Sequence, residues 1–165
     1  MEPSAHAPAS RPAPLLKRRK MLGLGVLAAL AGGIGWHIQT TVPVFSGATL
    51  SAAEAQARAQ AGEILLVDIR RPDEWRRTGL GAGAHPLDMR RDDFTQTLAA
   101  LSAANPGRPV ALICAGGVRS ARLANRLDAA GLGPILDVPE GMEGSAAGPG
   151  WIKSGLPTIA WNAAG

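Results

Sequence analysis

Residues 109–120 read Pro109-Val-Ala-Leu-Ile-Cys114-Ala-Gly-Gly-Val-Arg-Ser120, and this stretch decides the fold. Pro109 to Cys114 is a short, unbroken apolar run with branched side chains, the form of a strand covered on both faces. Two glycines follow, and the chain then enters Arg119 to Ala130, where Leu123 and Leu127 recur at helical spacing and Gly131 supplies a stop. A buried strand that feeds directly into a helix is half of the repeating unit of a parallel sheet.

Working outward, Ile64 to Ile69 is a second apolar run, broken only by Asp68, and Pro134 to Val138 is a third, shorter one. Arg91 to Ala104 sets Phe94, Leu98 and Leu101 on one helical face before Asn105-Pro106-Gly107 ends it. Ser51-Ala-Ala-Glu54 has the form of a capping box, so an Ala-rich helix is expected from there to about Ala61, stopped by Gly62. Strands alternating with helices across short Gly/Pro junctions imply an α/β fold, a parallel sheet with helices on both faces. The chain shows no internal repeat.

In such a fold the loop leaving the carboxyl end of a strand is where a site forms, because the next helix points free N–H groups and its positive dipole end into it. Cys114 opens that loop. An anion at its centre is favoured, with Arg119 adding charge, so Cys114 is the candidate nucleophile. Gly116 and Gly117 lack the Cβ that would keep successive amides from curling into a nest, and the amides of Gly116, Gly117, Val118, Arg119 and Ser120 are the candidate binding groups. A lone cysteine is more often a small buried hydrophobe, but strand, Cys, two Gly, Arg and helix in one run favour chemistry.

This segment resembles the active-site loop of the rhodanese family: Cys, small residues including Gly, then Arg and Ser opening a helix. Val67-Asp68-Ile69-Arg70 with Pro72-Asp73-Glu74-Trp75 is similar to the family's first motif, and Gly79 to Ala84 to its Gly-His-Ile-Pro-Gly-Ala turn. Glu140-Gly141-Met142, Trp151 and Gly155-Leu156-Pro157 resemble its ending, so the likeness covers about residues 47–160. Leu80 stands where the turn usually has His, Glu140 where the closing pair has its first Gly, and Ser145 to Gly150 reads as an insertion. Ala115 stands where many members carry Arg, which weakens thiosulfate as the natural donor. The resemblance implies a rhodanese-like fold and a sulfurtransferase that carries sulfur as a Cys114 persulfide, from a small-molecule donor such as thiosulfate to a thiol or cyanide acceptor.

Two other readings compete with this one. A phosphatase or arsenate reductase of related fold places five residues between Cys and Arg, whereas four separate Cys114 from Arg119, a cradle too small for a tetrahedral oxyanion. A non-catalytic sulfur- or partner-binding module is the third possibility. Asp68 and Arg70 share a side of an extended segment and Glu74 lies one helical turn beyond Arg70, so an ion-paired scaffold beneath the loop is expected of them. His85 reads as solvated and Trp151 as packed on the edge of the core.

Residues 1–20 form a Pro/Ala/Ser-rich tail, expected to be disordered, that ends in Lys17-Arg-Arg-Lys20. Residues 21–38 contain no Lys, Arg, Asp or Glu and span about 27 Å as a helix, just enough for a bilayer core of about 30 Å. The positive-inside bias then puts the tail in the cytoplasm and the domain outside, on an inner-membrane anchor. A cleaved signal peptide, with Ala29-Leu30-Ala31 as an AxA-like site, is the alternative, and both export the domain. Residues 39–46 are read as a linker and 161–165 as a tail.

Arg11, Lys17, Arg18, Arg19 and Lys20 against Glu2 account for the whole formal charge of +4, so the body of the protein is neutral. That removes the usual source of nucleic-acid affinity. One cysteine and three scattered histidines offer neither a disulfide nor a metal cluster, and the proposed chemistry requires no cofactor. Oligomeric state is left open.

Overall fold

The computed structural model describes residues 43–162. The expected tail at 1–20 and the membrane or signal segment at 21–38 lie outside the described residues. Among those described, no helix is long and apolar enough to cross a membrane.

In chain order the elements are α1 (Ala52–Gln60), β1 (Leu65–Asp68), α2 (Pro72–Thr78), β2 (Leu80–Gly81), β3 (His85–Pro86), α3 (Phe94–Ala103), β4 (Val110–Ile113), α4 (Val118–Ala129), β5 (Ile135–Asp137), α5 (Gly150–Lys153) and β6 (Thr158–Ile159). The capping box predicted at Ser51 is present: Glu54 N donates to Ser51 Oγ at 3.2 Å and Ser51 N to Glu54 Oε2 at 2.8 Å. Strands β3, β1, β4 and β5 lie in that order in one parallel sheet, with Leu65 opposite Val110 and Leu112 opposite Asp137. β2 and β6 form a separate antiparallel pair.

Every residue of β1, β4 and β5 is buried, as continuous apolar runs require. Alternate side chains serve two cores. Leu65, Val67, Val110, Leu112, Cys114 and Ile135 pack with Phe94 and Leu98 of α3 and Leu123 and Leu127 of α4. Leu66, Ala111, Ile113 and Leu136 pack on the other face with Ala52 and Ala55 of α1 and Trp151 of α5.

Three residues depart from the sequence reading. Trp151 is fully buried rather than on the core's edge, and its indole N–H donates to Pro157 O at 2.9 Å. Phe45, placed in the linker, is buried in the α3/α4 core, and Asn125 fastens that strap by donating to Val44 O at 3.0 Å. Trp161, placed in the tail, meets Trp75 edge-on with ring centroids 5.2 Å apart. Single aromatics outside a periodic segment carry no pattern from which burial is read.

Candidate functional site

β4 and α4 hold the ends of the Cys114 loop, and the segment after β5 forms its floor. Met142 N donates to Cys114 O and Glu143 N to Ala115 O, both at 2.8 Å. Gly141, at φ +67°, has room only for hydrogen there, since a Cβ would lie 2.4 Å from Ala115 O. Gly117, the N-cap of α4, has φ +78°, and a Cβ on it would lie 2.1 Å from Pro139 O. Gly116 is less constrained: its φ is not positive and its nearest neighbour would be Gly144 O at 3.4 Å. Of the two glycines the sequence singles out, Gly117 is the one the geometry demands.

Cys114 is 1% exposed, at the bottom of the loop. Its sulfur lies 3.5 Å from Ser120 Oγ, and that hydroxyl donates to Gly117 O at 2.9 Å. Among the described residues, the N–H groups of Gly116, Gly117, Arg119 and Ser120 donate to no carbonyl or side-chain oxygen, whereas Val118 N is taken by Gly116 O at 3.0 Å. Free amides at the start of a twelve-residue helix, next to a sulfur, are suited to hold a negative group attached to that sulfur.

Arg119 is half-buried, and its main partner is Glu74. Its two terminal nitrogens reach the two carboxylate oxygens at 2.6 and 2.8 Å, a forked ion pair between α4 and α2. The Arg119 hydrogen bonds hold the Glu74 carboxyl at about 2, against an ordinary 4.5, although burial opposes this. Arg119 is in turn pushed up, first by Glu74 and further by Cys114, so its charge also bears on the sulfur. Glu74 additionally accepts from Arg71 N at 3.1 Å, closing the first turn of α2.

Asp68 and Arg70 form a separate pair, both fully buried. Arg70 reaches Asp68 Oδ2 at 2.7 Å and spends its remaining donors on Thr78 Oγ1 and Gly79 O, each at 2.8 Å. The pair fixes the α2–β2 turn, and Glu74 joins Arg119 instead of Arg70. His85 is exposed in β3.

Sequence reasoning missed the row of cations along α4. Arg119, Arg122 and Arg126, one side of α4, line a cavity of about 480 Å³ with Met89, and among the described residues Arg122 and Arg126 pair with no carboxylate. Their spacing of three and four along α4 was the available signal. Glu140, which stands where the family's closing pair has its first Gly, has a structural use that the sequence did not show: its carboxylate accepts from Gly150 N at 3.0 Å and Ala52 N at 3.3 Å, tying the 145–150 insertion to the start of α1. No cluster of His, Cys, Asp and Glu among the described residues is arranged to hold a metal ion.

Residues 51–147, more than half of the chain, match the family of rhodanese-like domains. The chain belongs to that family. Membership supports a sulfurtransferase-type enzyme at the level of the family and no particular activity. Among solved structures, this rhodanese-like chain is similar to a thiosulfate sulfurtransferase from Pseudomonas aeruginosa, at 26% identity and TM-score 0.55 over 70% of this chain, but only 21% of that longer one. It is also similar, at 26% identity and TM-score 0.52, to a Rhodopseudomonas palustris protein of unknown function described as a possible tyrosine phosphatase, over 69% of this chain and 86% of that one. A Wolinella succinogenes polysulfide-sulfur transferase shares the fold at 22% identity and TM-score 0.52, over 72% of this chain and 82% of that one. No curated protein is similar enough to count as a match.

Proposed function

We propose that this rhodanese-like domain moves a sulfane sulfur through a persulfide on Cys114, from a donor such as thiosulfate to a thiol or cyanide. The observation that carries the reading is the set of uncommitted amides at Gly116, Gly117, Arg119 and Ser120, gathered in a short loop around one buried sulfur. In the first step the Cys114 thiolate attacks the outer sulfur of the donor. The new S–S bond forms as the old one breaks, and its electron pair leaves with sulfite or an equivalent group. The loop amides then hold the terminal persulfide sulfur, which bears the charge. In the second step an acceptor thiolate or cyanide takes that sulfur and the thiolate returns. All bonds change on sulfur, so the reaction requires no cofactor.

The Arg122/Arg126 cavity supports an anionic donor and offsets the missing cation at Ala115, while Arg119, neutralised by Glu74, serves more to brace the loop than to bind a free anion. The domain is proposed to lie outside the cytoplasm, on the segment at 21–38 or released from it. An alkaline phosphatase fusion after residue 42 is expected to be active, and an inactive fusion contradicts export.

Sulfur transfer and phosphate hydrolysis separate in one comparison. The protein and Cys114→Ser are assayed for thiocyanate formation from thiosulfate, 3-mercaptopyruvate or polysulfide with cyanide, and for hydrolysis of an aryl phosphate. Sulfur transfer that Cys114→Ser abolishes is expected. Hydrolysis without sulfur transfer overturns the reading.

A further inference from the structure

Glu74 and Arg77 lie three apart on α2, so they share a face of that helix, and both reach across to the surroundings of the Cys114 loop. Glu74 holds Arg119, at the end of the loop where α4 begins. Arg77 donates from Nη2 to Glu143 Oε1 at 2.8 Å, and Glu143 N in turn donates to Ala115 O at 2.8 Å. The Arg77–Glu143 pair therefore stands at the loop's other end, next to the residue that follows Cys114.

This pair differs from the other two in what it does for the fold. Asp68 and Arg70 are fully buried and the Glu74 carboxylate is 7% exposed, whereas Arg77 and Glu143 keep 58% and 44% of their side chains in solvent. Among the described residues Arg77 has no other acceptor, so most of its donors are unspent. A single exposed contact between two long side chains adds little stability and exchanges readily. Its place beside the loop is what gives it a use. The loop amides are taken up with the sulfur that is transferred, and neither Ala115 nor Gly116 offers a side-chain donor. The rest of an anionic donor thus needs a partner outside the loop. Space for it exists on this side, since a Cβ on Gly116 would meet only Gly144 O, at 3.4 Å.

We propose that Arg77 is a specificity-determining residue of this site: it leaves Glu143 to take the anionic end of the sulfur donor, the sulfonate of thiosulfate or the carboxylate of a mercapto acid. Its planar fork suits either group. Glu143 is the built-in competitor. It holds the guanidinium when no donor is present and takes it back as the anionic product departs, so that the product does not stay to block the acceptor. The row of cations on α4 acts at longer range, drawing anions toward the loop, and Arg77 makes the contact.

The inference deepens the persulfide reading and rests on it for the ligand, but its test needs no transfer of sulfur. Thiosulfate is titrated into Cys114→Ser, which keeps the loop amides and cannot take the sulfur, and nitrogen-15 NMR follows the Arg77 Nε–H and the amides of Gly116 and Gly117. All three are expected to move on one binding curve. In the same background Arg77→Gln is expected to weaken binding about three- to fivefold at low salt, and Glu143→Gln to tighten it about two- to fivefold. Both differences are expected to shrink at roughly 0.5 M salt. The opposite signs are decisive, because breaking a contact that served only the fold moves both variants the same way. Absence of thiosulfate binding, loop amides that move while Arg77 does not, or equal weakening by the two substitutions overturns the proposal. If Arg77 binds the anion and no donor loads Cys114 in the unsubstituted protein, the sulfur-transfer reading fails and the anion site stands. If thiosulfate loads Cys114 equally fast in the protein and in Arg77→Gln, the anion site fails and sulfur transfer stands.

Discussion

Replacing Glu74 by Gln tests the brace that holds Arg119 beside the sulfur. Gln keeps the shape and an oxygen for Arg71 N, so the charge is what is lost. Glu74 falls from its ordinary 4.5 to about 2, roughly 2.5 units, which at about 1.4 kcal/mol per unit sets a ceiling near 3 kcal/mol. Arg119 retains 34% side-chain exposure, so solvent screens the pair and about 1–2 kcal/mol is the expected loss at pH 7. The sign follows from the depressed carboxyl. Its contribution is complete above about 4.5 and disappears as pH falls through about 2. Urea unfolding of the protein and Glu74→Gln at pH 7, 4.5 and 3 is therefore expected to show a gap that is full at pH 7 and shrinks at pH 3. No gap at pH 7, or a gap equally large at pH 3, refutes the reasoning.

Gly117→Ala is expected to cost about 3 kcal/mol or more in thermal or urea unfolding, since a Cβ meets Pro139 O at 2.1 Å on a backbone at φ +78°, whereas Gly116→Ala is expected to cost under about 1 kcal/mol. Asp68→Asn leaves the fully buried Arg70 guanidinium without its counter-charge, and a loss of about 3–5 kcal/mol in urea unfolding is expected. Arg122→Glu with Arg126→Glu reverses the charge on the cavity wall. The rate of Cys114 loading by thiosulfate is expected to fall at least about threefold at low salt and to lose its salt dependence, while unchanged kinetics exclude the cavity as the approach.

The parallel sheet was legible because strands buried on both faces must be apolar throughout, and α3 and α4 because their buried faces repeat at helical spacing. The position of the Cys114 loop followed from those elements. The loop's partners did not. Spacing favours Glu74 with Arg70, but Asp68 is nearer and, with Thr78 and Gly79, takes up the Arg70 guanidinium. Glu74 is then left for a residue 45 positions away, a pairing no local period encodes. Asp137 reads as one polar residue in a short strand, and only its register against Leu112 sets it level with the strand that leads into Cys114. Glu140 looks like a defect in a Gly pair until Ala52 N and Gly150 N are seen to need its oxygens.

The central claim is that Cys114 carries sulfur, and intact-mass spectrometry of the protein after incubation with thiosulfate, 3-mercaptopyruvate or polysulfide tests it most directly. A gain of one sulfur atom is predicted, removed by cyanide or a thiol and absent from Cys114→Ser. A chain that gains no sulfur from any of the three donors, or gains it equally without Cys114, contradicts the account.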